Sequence, residues 1–324
     1  MTRLRTAPVV LAALLVAACS NSEEASDATE GPSAAPAPGS STAAADDQVV
    51  VALDDFAAIN ALSVGVEPDL VLEVFEYETT SAVFADLSLE TAPYGDALPL
   101  ERVAAAEPDV ILGVSIPTTV EAEAQLDAVA PTTVLDYTAS WQEQLTATAA
   151  ALGREDEAGE LQERLEGDLE TLAADLAAAG RAGDVVSVVA DNGGTFSPPV
   201  ATSVGSVIAA AGLERPAAQQ QTTTPSSPFV QFSPETLADH DGDVLYLLSG
   251  VPYVTTGLTG NPLWGRLGAV AGGQVHEVSG ESWLGSSAFS VDWVVRDLRA
   301  TLLDGGEAAS PAEAPTRFAE FADA

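Results

Sequence analysis

Between about Glu155 and Ala179 the residues Ala158, Leu161, Leu165, Leu169, Leu172 and Leu176 recur three and four positions apart, with acidic residues between them. That spacing lines one face of a helix with apolar side chains and leaves the other face in water. At 1.5 Å per residue such a helix extends about 37 Å, longer than one small domain requires. Its flanks constrain the fold further. Before it, β-branched runs at Gln48 to Leu53, Leu70 to Val74, Val110 to Val114 and Thr132 to Leu135 alternate with helical stretches at Leu100 to Ala106, Val120 to Val129 and Trp141 to Leu152. After it the alternation restarts, with strands at Val185 to Ala190, Val244 to Leu248 and Val275 to Val278. Helices are expected there at Ser203 to Ala211, from Pro234 behind the N-cap candidate Ser233, and at Ser290 to Leu303. Alternation on both sides of one single-striped helix predicts an α/β protein of two Rossmann-like lobes, with mostly parallel sheets, joined by one long helix. Open sheets of this kind bind ligands beyond their strand ends, and a crevice between lobes is a common ligand site.

The first residues follow a different logic. Arg3 and Arg5 precede an apolar run, Ala7 to Ala18, that is too short to span a bilayer and reads as a signal peptide over 1–18. Cys19, the only cysteine, follows directly and excludes an intramolecular disulfide framework. The string Leu15-Val16-Ala17-Ala18-Cys19 resembles the lipobox of bacterial lipoproteins. That resemblance implies diacylation of the Cys19 thiol, removal of the leader, and a protein held by lipid at the outer face of the cell membrane. The alternative is a structural cysteine in a leader cut elsewhere. Ser20 to Asp47, without leucine or aromatic residues, reads as a disordered tether, so that 19–47 links the lipid to the folded part. The remainder divides into an N-terminal lobe (48–154), the bridging helix (155–181), a C-terminal lobe (182–304) and an acidic tail (305–324).

Charge narrows the function. Forty-nine Asp and Glu face 11 basic residues, all arginine, for a net charge of -38. Nucleic acid and anionic membrane surfaces both need a basic footprint and are excluded as partners. There is no P-loop, nucleophile elbow or zinc signature. His240 and His276 are the only histidines, and the acids Asp239, Asp241 and Asp243 lack the twelfth-position glutamate of a calcium loop. No intrinsic cofactor or metal is expected, and an extracellular enzyme would need a catalytic cluster that the chain does not display.

The segment Leu100 to Leu112 (LERVAAAEPDVIL) resembles the helix-to-strand signature of the class III substrate-binding proteins, which serve ABC importers of iron-siderophores, haem and cobalamin. Asn60 to Pro68, Ala128 to Thr132, Trp141 to Glu160, Val207 to Pro216, Ser233 to Leu237 and Asn261 to Val270 resemble further stretches of that family in the same order. The resemblance covers residues 48 to about 304. It implies a monomeric receptor that closes over its ligand and delivers it to an ABC permease. It also implies that one glutamate per lobe, Glu101 and Glu235, pairs with permease arginines through charge-assisted contacts.

A ferric siderophore needs aromatic walls and, if anionic, arginines. The aromatic candidates lie in irregular segments after predicted strands: Phe56, Tyr77, Tyr94, Phe196, Tyr253 and Trp283. Trp264 reads as packing and Trp141 as a surface or staple residue. Many relatives place an aromatic or arginine after the first C-lobe strand, where Phe196 to Ser203 offers only Phe196. That departure favours a neutral, hydroxamate-like ferric chelate, iron entering only as part of the ligand; cobalamin or haem is the alternative.

Overall fold

The computed structural model describes residues 48–75, 77–95, 97–200, 202–221 and 229–324. Cys19, the expected signal peptide (1–18) and the expected tether (19–47) lie outside the described residues.

The N-terminal half builds one parallel sheet from β1 (Val50–Ala52), β2 (Leu70–Glu73), β3 (Thr91–Pro93), β4 (Val110–Val114) and β5 (Thr132–Leu135), ordered β3-β2-β1-β4-β5. Its helices are α1 (Asp55–Ser63), α2 (Glu78–Asp86), α3 (Leu100–Ala105), α4 (Pro117–Leu126) and α5 (Trp141–Leu152). The strand order reverses between β1 and β4, which places a topological switch point at their carboxyl ends. β1, β2 and β4 are buried throughout, as strands with helices on both faces must be.

The bridging helix, α6 (Glu155–Ala178), buries the six residues of its stripe. One face packs on α5, while α7 (Ser203–Ala210) and α11 (Ala288–Arg299) lean on it from the C-terminal half. One apolar core therefore runs from Val50 and Leu112 through the α6 leucines to Val186 and Trp293.

The second sheet is ordered β10-β9-β6-β7-β8, from β6 (Val186–Asp191), β7 (Thr195–Ser197), β8 (Val230–Gln231), β9 (Val244–Ser249) and β10 (Val275–Ser279). β6, β9 and β10 are parallel, whereas β7 runs antiparallel to both β6 and β8. The short helices α8 (Thr256–Thr259), α9 (Gly268–Ala271) and α10 (Gly280–Leu284) precede α11. The segment opened by Pro234 is a 3-10 helix, Pro234–His240.

Two expectations are corrected. The acidic tail (305–324) is structured: Ser310 and Glu313 form a capping box, and α12 (Ala314–Ala322) buries Ala314, Phe318 and Phe321. Those three positions recur at helical spacing along one face, and packing on α2 and α11 covers them. Trp141 is not a surface residue; it is 1% exposed and belongs to the shared core.

Candidate functional site

The carboxyl ends of the N-lobe strands are organised by two adjacent buried acids. Asp54 caps α1 by accepting from the Ala57 N–H (2.8 Å) and also accepts from the Val114 N–H (2.7 Å), tying the end of β4 to the start of α1 at the switch point. Asp55 accepts from the Val74 and Phe75 N–H groups (3.1 Å each) and from the Thr80 hydroxyl (3.2 Å). Burial pushes the Asp54 carboxyl up to about 7 and moves Asp55 in the same direction.

These bonds hold the roots of an aromatic group. Phe56 sits at its centre, 5.3 Å from Phe75, 5.7 Å from Tyr77 and 5.6 Å from Tyr137 between ring centroids. Phe75 and Tyr77 stack at 5.2 Å. From the other lobe come Phe196 on β7, Phe229 before β8 and Tyr253 after β9, with Phe196 lying 4.7 Å from Phe229 and 6.2 Å from Tyr253. Tyr253 and Tyr77 meet through their side chains, joining the two sets across the lobes. Burial raises the pKa of both hydroxyls, so both are neutral donors at physiological pH.

A backbone feature positions Tyr253. A Cβ on Gly280 would lie 2.3 Å from the Tyr253 ring, so the ring rests on a surface that only glycine leaves open. The next residue, Glu281, crosses to the other lobe: its carboxylate accepts from the Thr79 N–H (3.0 Å) and the Thr80 N–H (2.7 Å) in the first turn of α2. The unsatisfied N–H groups of a helix start suit a carboxylate, yet burial still pushes Glu281 up to about 7. Phe56, Thr79, Thr80, Glu281, Ser282 and Ser290 line a cavity of about 20 Å³ beside this contact, room for one water.

The structure thus brings together Phe56, Tyr77, Phe196 and Tyr253, and adds Phe75, Tyr137 and Phe229, which sequence reasoning missed. Phe75 and Tyr137 also follow strands, so the rule used for the others would have found them. Tyr94 stands apart, half-buried on the Leu98–Leu100–Val103 cluster with its hydroxyl donating to the Leu53 carbonyl (3.3 Å). Trp283 is corrected outright. It lies in α10 and is fully buried, its Nε1 donating to Asp297 (2.8 Å) and its ring 4.5 Å from Tyr246, which makes it a core residue. Glu101 and Glu235 are exposed at the starts of α3 and of the 3-10 helix, Glu235 accepting from the Ser233 hydroxyl (2.9 Å). Among the described residues no three His, Cys, Asp or Glu side chains converge as a metal site, and no helix is long and apolar enough to cross a membrane.

Two α/β lobes, a shared helix and rings gathered from both lobes at the strand ends define a two-lobed solute-binding protein. The chain belongs to the periplasmic binding protein family, whose model matches residues 48–280. Among solved structures it is similar to SirA of Staphylococcus aureus (22% identity, 79% of this chain and 99% of that one, TM-score 0.68), a protein also solved with staphyloferrin B. It is similar to FhuD2 of the same organism with bound ferrioxamine B (21% identity, 79% and 98%, TM-score 0.68). A third similar structure is the siderophore periplasmic binding protein from the fuscachelin gene cluster of Thermobifida fusca (24% identity, 81% and 98%, TM-score 0.64). No curated protein sequence matches the chain.

Proposed function

We propose that this protein is the extracytoplasmic receptor of an ABC importer and captures a ferric siderophore between its lobes without altering it chemically. The observation that carries this reading is the set of rings contributed by both lobes at the strand ends, Phe56, Phe75, Tyr77 and Tyr137 facing Phe196, Phe229 and Tyr253. An apolar-bodied metal chelate needs such a wall, and only a ligand touching both lobes can report its presence through their spacing. The siderophores bound by the similar FhuD2 and SirA support the ligand class. The ligand we assign is a hydroxamate-type ferric chelate without net negative charge. Cys19 carries the lipid that holds the receptor at the membrane, and Glu101 and Glu235 meet the permease.

The test is calorimetric titration of the purified protein with iron-loaded hydroxamate, catecholate and carboxylate siderophores, cobalamin and haem. Saturable micromolar or tighter binding of a ferric hydroxamate is the expected outcome. Binding of cobalamin or haem alone would move the receptor to that ligand class, and no binding at all would remove the receptor reading.

A further inference from the structure

Resting on that receptor reading, we infer that the site selects a chelate by the sign of its charge, preferring one whose neutral ferric core carries a pendant ammonium group. Three observations converge. First, the ring wall is backed by acid side chains whose oxygens accept hydrogen bonds, with no cation among them. Asp55 is bonded to the backbone of Phe75 itself, Asp54 lies beside it, and Glu281 bonds the residues two and three beyond Tyr77. Glu281 also directly follows Gly280, on which the Tyr253 ring rests. Asp54, Asp55 and Glu281 therefore stand behind the N-lobe rings and along the seam where Tyr77 meets Tyr253. Aromatic faces are themselves electronegative and attract ammonium groups, more strongly where water is excluded.

Second, eight of the nine arginines among the described residues are engaged elsewhere, and Arg266 is exposed in the short 3-10 helix Trp264–Arg266. Arg102 pairs with Glu90, Arg154 with Glu157, Arg181 with Asp184 and Arg299 with Asp175. Arg164, Arg296 and Arg317 gather around Asp292, Asp297 and α12. Both cation–π contacts between described residues fall at that same place, on Phe321 and Trp293. Arg215 donates to the Ser197 hydroxyl (2.8 Å) and the Pro198 carbonyl (3.2 Å), one and two residues beyond Phe196. Successive residues of a strand face opposite ways, so Ser197 and Arg215 lie on the side of β7 away from Phe196 and its ring partners.

Third, a net charge of -38 surrounds the site with a field that concentrates cations and repels an anionic chelate. A tris-catecholate ferric complex carries three negative charges, is repelled by that field, and would meet buried acids with no arginine beside them to balance its charge. A trihydroxamate core is neutral, and an ammonium on its chain would be drawn to the rings and acids together.

The experiment compares three probes on the purified protein at low salt: a ferric linear trihydroxamate with a terminal ammonium, the same molecule N-acetylated at that amine, and a ferric tris-catecholate. Acetylation removes the charge and leaves the chelate unchanged. The ammonium form should bind about 10-fold tighter than the acetylated form. The ratio should shrink in ~0.5 M salt, and the tris-catecholate should bind at least about 100-fold more weakly than the ammonium form. Equal affinity of the first two, or tighter binding of the catecholate, would overturn the charge selection while leaving the siderophore receptor intact. Failure of all three to bind would instead remove the ferric-hydroxamate reading on which it rests.

Discussion

The carboxylate of Glu281, from the helix after the last C-lobe strand, accepts the Thr80 N–H at 2.7 Å at the start of the N-lobe helix α2. A second bond from the Thr79 N–H, and the approach of the Thr79, Ser279 and Ser282 hydroxyls to one another, make this a fully polar contact buried between the lobes. Glu281→Ala would strand two buried N–H groups at a helix start. It should lower stability by about 2–3 kcal/mol. Glu281→Gln retains an acceptor and should cost less than half as much. Urea denaturation followed by circular dichroism measures both.

The same acid should make the protein more stable in mild acid. Burial raises Glu281 from 4.5 to about 7 and Asp54 from 3.8 to about 7, while Asp55, Asp292 and Asp297 shift upward as well. Between the unfolded and folded values the native state binds more protons than the unfolded chain. This contribution is therefore fully present below about pH 4 and is lost as pH rises through about 7. Fewer net negative charges at low pH act in the same direction. The melting temperature should rise from pH 8 to pH 5, and Glu281→Gln should flatten part of that slope. A melting temperature that falls over this interval would contradict the assignment.

Gly280 is expected to tolerate no side chain. Its missing Cβ is the seat of the Tyr253 ring, so Gly280→Ala must displace that ring or the α10 backbone. Overpacking of this kind costs about 1–3 kcal/mol. Because Tyr253 is a wall of the proposed site, affinity for the ferric hydroxamate should fall by more than about 10-fold, and Tyr253→Ala should have a similar effect. Paired melting curves and titrations separate the two consequences.

Much of this architecture was legible in the residue order. The α6 stripe and the β-branched runs bury what their periodicity says they should, because those patterns are local. The site was legible only in part. A rule that collects aromatics after strands finds Phe56, Tyr77, Phe196 and Tyr253, but it also takes in Trp283, whose place is decided by a partner 14 residues away, Asp297. Glu281 carried no local signal at all, since its two partners lie about 200 residues earlier in the chain. Long-range pairing of a polar residue leaves no periodicity behind.

Glu101 and Glu235 are exposed and take no part in the ring wall or the Glu281 contact. Replacing both with alanine should leave ligand affinity unchanged within about twofold, since surface changes remote from a site are nearly neutral. Uptake of the iron chelate by intact cells should drop by an order of magnitude or more if they pair with permease arginines. Normal import by the double variant would show that the permease reads another surface.

The C-terminal helix should matter to both lobes at once. Phe318 and Phe321 pack 5.1 and 5.4 Å from Phe289 of α11, and α12 also lies against α2 of the N-lobe. Arg164 of the bridging helix donates to the Phe321 carbonyl (3.0 Å) and lies over its ring, while Arg317 pairs with buried Asp297 (3.0 Å) beneath Trp293. Asp297 in turn holds Trp283, one residue beyond Ser282 and two beyond Glu281, so α12 is connected through Arg317 and Asp297 to the element that reaches α2. Phe318→Ala should cost about 3–5 kcal/mol, the range for a buried phenylalanine. Arg317→Met should cost about as much, because it leaves the Asp297 charge buried without its cation. If α12 were a dispensable tail, removal of residues 311–324 would leave the melting temperature unchanged; we expect instead a loss greater than that of either single substitution.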